Sequence, residues 1–280
     1  MKSIITYLLV FSSIITFGQK DFQGKAVYYS KTTIDMERFN NGDIPEDRKK
    51  RILERIKSQS QKTFVLTFNK SSSLYKEEEK LEAPTSGGGR GPRFQMGAGT
   101  QYKNIPQKEF LESREVFSKK FLITDEVTMP QWEMGVETKK IGSYTCYKAT
   151  MIKEDNSIEF RGPRRGRGNQ KKEEEKTKTE EKKAPKKIEV TAWYTLDIPV
   201  SNGPGEYWGL PGLILEVSAG RTTVLCTEII LNPKEKVNIE KPKKGSKISR
   251  EKFNKMLKEK MEEMRERFGG RRGNGAGGRR

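Results

Sequence analysis

The chain has 280 residues, no histidine, two cysteines and a formal net charge of +18 from 56 Lys/Arg against 38 Asp/Glu. The absent histidine excludes Ser-His-Asp and Cys-His catalysis, the usual zinc sites and the commonest general base near neutral pH. The charge is local: residues 161–187 carry a net +7 and residues 234–280 a net +10, which leaves the rest of the chain nearly neutral.

Met1-Lys2 gives a positive start, an apolar run extends from Ile4 to Ile15, and Thr16-Phe17-Gly18 places small residues at −3 and −1 of a cleavage site. Residues 1–18 are therefore expected to be a secretory signal. The run is shorter than the ~20 residues a membrane-spanning helix needs. No cysteine lies near the cleavage site, so no lipid anchor is expected on the exported chain.

Residues 19–233 read as one mainly β domain. Gly24 to Ile34, rich in β-branched and aromatic residues, opens it as a strand. Asp43 is placed to cap a helix with Pro45 in its first turn, and Ile52, Leu53 and Ile56 recur at helical spacing to about Lys57. Strands resume at Lys62–Phe68 and Ser73–Glu79, joined as a hairpin by residues 69–72. Residues 83–100 form a Gly/Pro-interrupted loop. Its glycines lack the Gly-Lys-Ser/Thr and following helix that a phosphate-cradling loop requires.

Further strands are expected from Gln101, at Phe110–Val116 and Lys120–Ile123, then around Trp132, at Tyr144–Lys153 and at Ser157–Phe160. Residues 161–187 are a basic low-complexity insertion that loops out at little extra closure entropy. Ile188–Tyr194 resumes the sheet, and Leu213–Val217 and Thr222–Leu231 form a last hairpin around Ala219-Gly220-Arg221. Residues 234–248 read as a linker. Ser249 caps an amphipathic helix over 249–268, with Phe253, Met256, Leu257, Met261 and Met264 on one face. Residues 269–280 form a Gly/Arg-rich tail with the composition of a disordered segment. The connections lack the crossover helices that parallel strands need, so the expected fold is a curved antiparallel sheet or open barrel with two peripheral helices.

The most informative stretch is Gly209-Leu210-Pro211-Gly212-Leu213-Ile214. Pro211 and Gly212 suit positions i+1 and i+2 of a type II turn closed by Leu213, with a positive φ at Gly212. Ahead of it, Trp193 and Tyr194 end one strand, and Gly203, Pro204, Tyr207 and Trp208 lie in a segment stiffened by Pro199, Pro204 and Pro211. The four aromatic residues first of all suit closure of the end of the core under a tight loop; as the candidate binding site, they would line the mouth of an apolar cavity or a docking face.

Together with Phe121–Glu126, Gln131-Trp132 and Lys140–Ala149, this signature resembles the GLPGLI family, in matching order over roughly Gly24 to Leu231. The resemblance implies an exported protein of Bacteroidota, often encoded near TonB-dependent outer-membrane transporters, with no established activity. A periplasmic or outer-membrane-associated location follows, with an outer-membrane transporter or other envelope protein as the expected partner.

Cys146 and Cys226 each lie in a strand-like segment. In an oxidising compartment they could pair across about 80 residues, stabilising by somewhat over ~4 kcal/mol, or remain two buried free thiols. No cofactor and no metal site is expected. Met256, Met261 and Met264 could hold Cu(I), but Phe253 and Leu257 on the same face favour a packing stripe.

The leading function is therefore a non-catalytic envelope protein that binds a partner or apolar ligand beside an outer-membrane transport system. Two alternatives stand against it. One is a carboxylate-dependent hydrolase using Asp197 and Glu206. The other is a binder of anionic membrane surfaces through the basic segments. Nucleic acid is not an expected partner, because the Arg/Gly segments lack interleaved aromatic residues.

Overall fold

The structure is a computed structural model that describes residues 22–33, 45–78, 99–126, 128–154 and 187–270. The expected signal segment and the C-terminal tail from residue 271 lie outside the described residues. So do nearly all of the two low-complexity loops, Asp43, and the strand expected at Ser157–Phe160.

Among the described residues twelve strands form one sheet: β1 Gln23–Thr32, β2 Gln61–Asn69, β3 Ser72–Glu77, β4 Thr100–Asn104, β5 Glu109–Val116, β6 Lys119–Glu126, β7 Glu133–Ile141, β8 Tyr144–Glu154, β9 Lys187–Thr195, β10 Leu213–Ala219, β11 Thr222–Leu231 and β12 Ser246–Ser249. Helix α1 spans Glu46–Ser60 and α2 spans Arg250–Gly270. Among the described residues the order across the sheet is β12-β6-β5-β4-β3-β2-β1-β11-β10-β9-β8-β7, so β12 and β7 are its edges and the sheet is not closed into a barrel.

The expected mainly β class holds, with differences of detail. The pairings are antiparallel except that of β12, which runs parallel to β6 in the register Ser246↔Phe121 to Ser249↔Thr124. The stretch expected as a linker thus contains a strand. It does so because residues 233–245 carry Ile239 over the outer side of the sheet, against Tyr102, Leu111 and Leu122, and deliver the chain to the β6 edge. Lys187, expected in the insertion, is the first residue of β9. Pro45 stands at the N-cap of α1 rather than in its first turn.

Helix α2 then returns along the inner face. The Ser249 hydroxyl accepts from the Lys252 amide at 3.4 Å, the cap its sequence calls for. Phe253 and Leu257 are buried against Phe121 and Ile123, with the Phe253 ring edge-on to Phe121 at 5.6 Å. Met256 and Met261 pack on the same cluster as apolar filler. The helix runs through Gly269 and Gly270, two residues past the expected end.

The main core lies where β1, β2, β3, β8, β10 and β11 face Ile198 and Val200, which descend from the β9–β10 connection. Tyr28 is buried there, and its hydroxyl donates to the Ile214 carbonyl at 2.7 Å. Burial that would be costly for an unpaired hydroxyl is met by a partner. A second cluster on the opposite face of β8–β10 holds Ala149, Val190, Ala192, Tyr194, Leu210, Ile214 and Val217.

Candidate functional site

The connection between β9 and β10, residues 196–212, carries the signature and spans the concavity of the sheet. The buried Lys103 of β4 donates from Nζ to the Gly205 carbonyl at 3.0 Å, with the Gly203 carbonyl at 3.5 Å. The next residue, Glu206, is ion-paired with Lys153 of β8. Strands β4 and β8 are seven positions apart in the sheet, about 34 Å if it were flat at ~4.8 Å per strand. A dipeptide reaches both, so the sheet is curled and the loop straps its two halves together.

The loop is held along its length. Val200 N–H donates to Ile198 O and Asn202 N–H to Val200 O, both at 2.8 Å. Leu213 N–H donates to Ile198 O and Ile214 N–H to Asn202 O, both at 3.0 Å. The type II turn expected over Leu210–Leu213 does not form, because it needs a positive φ at Gly212 that the chain does not adopt; the Leu213 amide bonds Ile198 instead. Gly212 does not have a positive φ; that role falls to Gly209, at φ 93°. The requirement at Gly212 is space: a Cβ there would stand 1.9 Å from the Thr195 carbonyl oxygen. At Gly203 a Cβ would meet the Tyr207 carbonyl oxygen at 2.6 Å and Ile214 Cβ at 2.8 Å. Pro204, Leu210, Leu213 and Ile214 are buried, whereas Pro211 is exposed.

The four candidate aromatic residues do not form one group. Trp193 packs against the main core, with Lys139 Nζ 4.4 Å from its ring centroid and 2.8 Å from Glu216. Tyr194 and Tyr207 belong to the second cluster, on the opposite face, together with Trp132. The split follows from strand alternation: neighbouring residues 193 and 194 point to opposite sides. Trp208 is buried, and its carbonyl accepts the Trp132 indole N–H at 2.8 Å.

Around this second group lies an apolar surface that the sequence pattern did not single out. Met129 packs on Gly209, where an added Cβ would meet Met129 Cγ at 3.4 Å. The Tyr194 hydroxyl lies 3.6 Å from Met134 Sδ. Met129 is 61% exposed, Met134 56% and Val136 97%. Register is lost between Met134 and Thr138, so residues 135–137 bulge from the free β7 edge opposite Lys148 alone. The bulge presents Val136 to solvent and spoils the edge as a template for indiscriminate strand pairing.

On the inner side of the loop, the strand register builds a polar floor. One row runs Ser73, Lys103, Phe110, Asp125 across β3 to β6, and the next runs Tyr75, Gln101, Glu112, Ile123. Glu112 is buried; Arg250 at the start of α2 donates to its Oε2 at 2.7 Å and to Asp125 Oδ2 at 3.3 Å. Arg114 Nε lies 3.0 Å from Glu112 Oε1 but off the N–H direction, so neither atom has a hydrogen bond. A cleft of about 260 Å³ lies between this floor, the loop at Pro204–Tyr207 and Arg250. Burial drives the Lys103 ammonium down to about 7, with Glu206 opposing the shift. Desolvation also raises the phenols of Tyr75 and Tyr207, their anionic forms being disfavoured further by Glu77 and Glu206 respectively.

The sequence reading missed Lys103 and Glu112. For Glu112 a signal exists, since alternation puts it on the face of Phe110. For Lys103 none does: Tyr102 and Lys103 are both buried because Ile239 covers one side of β4 while the loop covers the other.

Cys146 and Cys226 are free thiols in the main core. Desolvation raises Cys146 to about 11 and Cys226 to about 12. Asp197 and Glu206 are both exposed, and Glu206 is committed to Lys153. Among the described residues, no group of three or more His, Cys, Asp or Glu is placed to hold a metal ion. No helix among them is long and apolar enough to cross a membrane.

Residues 132–216 match a family described as protein of unknown function (Porph_ging). That stretch contains β7 to the middle of β10 and the whole signature loop. No curated protein matches the chain. Among solved structures, PNGF-II is similar in two crystal forms at 13% identity, with TM-scores of 0.47 and 0.46. Those alignments cover 84% and 85% of this chain and 32% and 33% of PNGF-II, so the chain spans about a third of that protein's length. LprF from Mycobacterium bovis is similar at 9% identity and a TM-score of 0.25, over 82% of this chain and 93% of LprF. At these values none of the likenesses bears on activity.

Proposed function

We propose that the protein is an exported, non-catalytic envelope protein of the GLPGLI type that docks an envelope partner beside an outer-membrane transport system. The observation that carries this reading is the pair of exposed methionines Met129 and Met134, which lie against Gly209 and Tyr194 beside the Trp132–Trp208 hydrogen bond, with Val136 exposed on the adjoining β7 bulge. Large apolar side chains clustered in the open on a rigid support are the signature of a docking face. Methionines adapt such a face to a partner's contour. The support here is stiff because the loop is fixed to β4 and β8 on the two halves of the sheet and stapled to Trp132. The apolar run of residues 4–15 and the small residues at 16 and 18 support export.

The test compares the full chain with a Val136→Asp/Met134→Glu double variant, both used as bait on detergent-solubilised envelope fractions of a Bacteroidota host. An outer-membrane protein recovered by the wild type and lost from a variant with an unchanged thermal melt is the expected result. Recovery of the same protein by both baits, or of none above background, would overturn the reading.

A further inference from the structure

We propose that Lys103 is a proton-operated latch: its charged form favours release of the signature loop from the inner face of the sheet, and its neutral form favours the seated loop. This rests on the docking reading only for its consequence, since the outer stretch of the same loop underlies Met129 and Trp132.

The geometry sets the direction. Lys103 is 1% exposed, and its Nζ meets two backbone carbonyls, at 3.0 and 3.5 Å. A neutral amine has two N–H groups, one for each carbonyl. An ammonium has a third, for which no hydrogen-bond partner is found among the described residues, and carries a charge taken out of water. The nearby charges are already engaged. On the loop, Glu206 pairs with Lys153, and on β5, Glu112 lies between Arg250 and Arg114. Asp125 on β6 binds Arg250 of α2, while the loop's Tyr207 and the Tyr75 of β3 stay neutral because burial raises their phenols. None of these supplies a hydrogen-bonded counter-ion to Lys103. Lifting residues 203–205 would return the ammonium to water, so protonation stabilises the lifted loop and proton loss stabilises the seated one. Burial places this titration at about 7, and the chain contains no histidine to titrate beside it.

The test is amide hydrogen exchange on the full chain between pH 5.5 and 8.5, corrected for intrinsic rates. The reporters are the Tyr207, Leu213 and Ile214 amides, which bond Pro204, Ile198 and Asn202. Their protection should be lower than that of the β1–β2 amides, flat below about pH 6.5 and rising toward tenfold per pH unit above about 7, the slope of a single linked proton. Lys103→Met should remove the slope and leave protection high throughout; Lys103→Arg should leave it low throughout. No partner enters the measurement, so failure of the docking reading leaves this result untouched, and the converse also holds. Flat protection in the wild type, the same slope in Lys103→Met, or loop protection equal to that of β1–β2 would each overturn the latch.

Discussion

Gly212 lies against the backbone of Thr195 so closely that a methyl group there would stand 1.9 Å from the Thr195 carbonyl oxygen. The contact joins the two ends of the signature loop, where β9 stops and β10 starts. It explains the second glycine of the motif by space rather than by backbone conformation.

Gly212→Ala is accordingly expected to cost about 3 kcal/mol or more, since the neighbour is backbone and does not yield as a side chain would. Gly220→Ala is the contrast. Gly220 has φ 57° and nothing within 4 Å of an added Cβ, so the penalty is conformational, about 1 kcal/mol. Urea denaturation of both variants, read as midpoint at unchanged slope, checks the ordering.

The pH dependence of stability has two limbs. Unfolded lysine titrates near ~10.4, whereas Lys103 in the fold titrates at about 7. Between those values the unfolded chain holds a proton that the folded chain has lost, so stability rises with pH from about 7, by up to ~1.4 kcal/mol per unit. The thiols act oppositely. Cys146 and Cys226 are raised to about 11 and about 12, while unfolded cysteine titrates near ~8.5. Their contribution is complete below that pH and is lost as pH climbs toward the folded values. Urea midpoints under reducing conditions should therefore peak at about pH 8.5, and Lys103→Met should abolish only the rising limb.

Arg250 ties the start of α2 to β5 and β6 through Glu112 and Asp125. Removing it leaves a buried carboxylate with only the misaligned Arg114. Arg250→Ala is expected to cost about 3 kcal/mol, the scale of breaking a buried pair from one side. Adding Glu112→Gln should recover part of that loss, because the orphaned charge is gone. A double-mutant cycle by chemical denaturation measures the coupling; strictly additive losses would contradict it.

Much of the sheet was legible in the sequence because one face of most strands is buried and the other is not, which imposes a period of two on β1, β2 and β9. The helix of the C-terminal region was legible for the same kind of reason, through Phe253 and Leu257 at helical spacing and Ser249 at its cap. Strand β12 was not: four residues, Ser-Lys-Ile-Ser, carry no periodicity, and they are a strand only because β6 offers an unpaired edge. The roles of the signature glycines were also hidden, since a Pro-Gly pair suits a type II turn until the Leu213 amide finds the Ile198 carbonyl.

The sequence by itself determined the class of fold, the positions of most strands, the stiffness of the loop at its prolines and the exclusion of histidine chemistry, because each depends on local composition or spacing. Only the tertiary structure decided that Trp193 and Tyr194 part to opposite faces of a curled sheet, and that Lys103 is sealed beneath residues a hundred positions away. It also decided that Met129 lies exposed against Gly209 of the loop and Met134 exposed against Tyr194. Burial on both sides of a strand and closeness across seven strands are properties of the curled sheet, and no local pattern of residues encodes them.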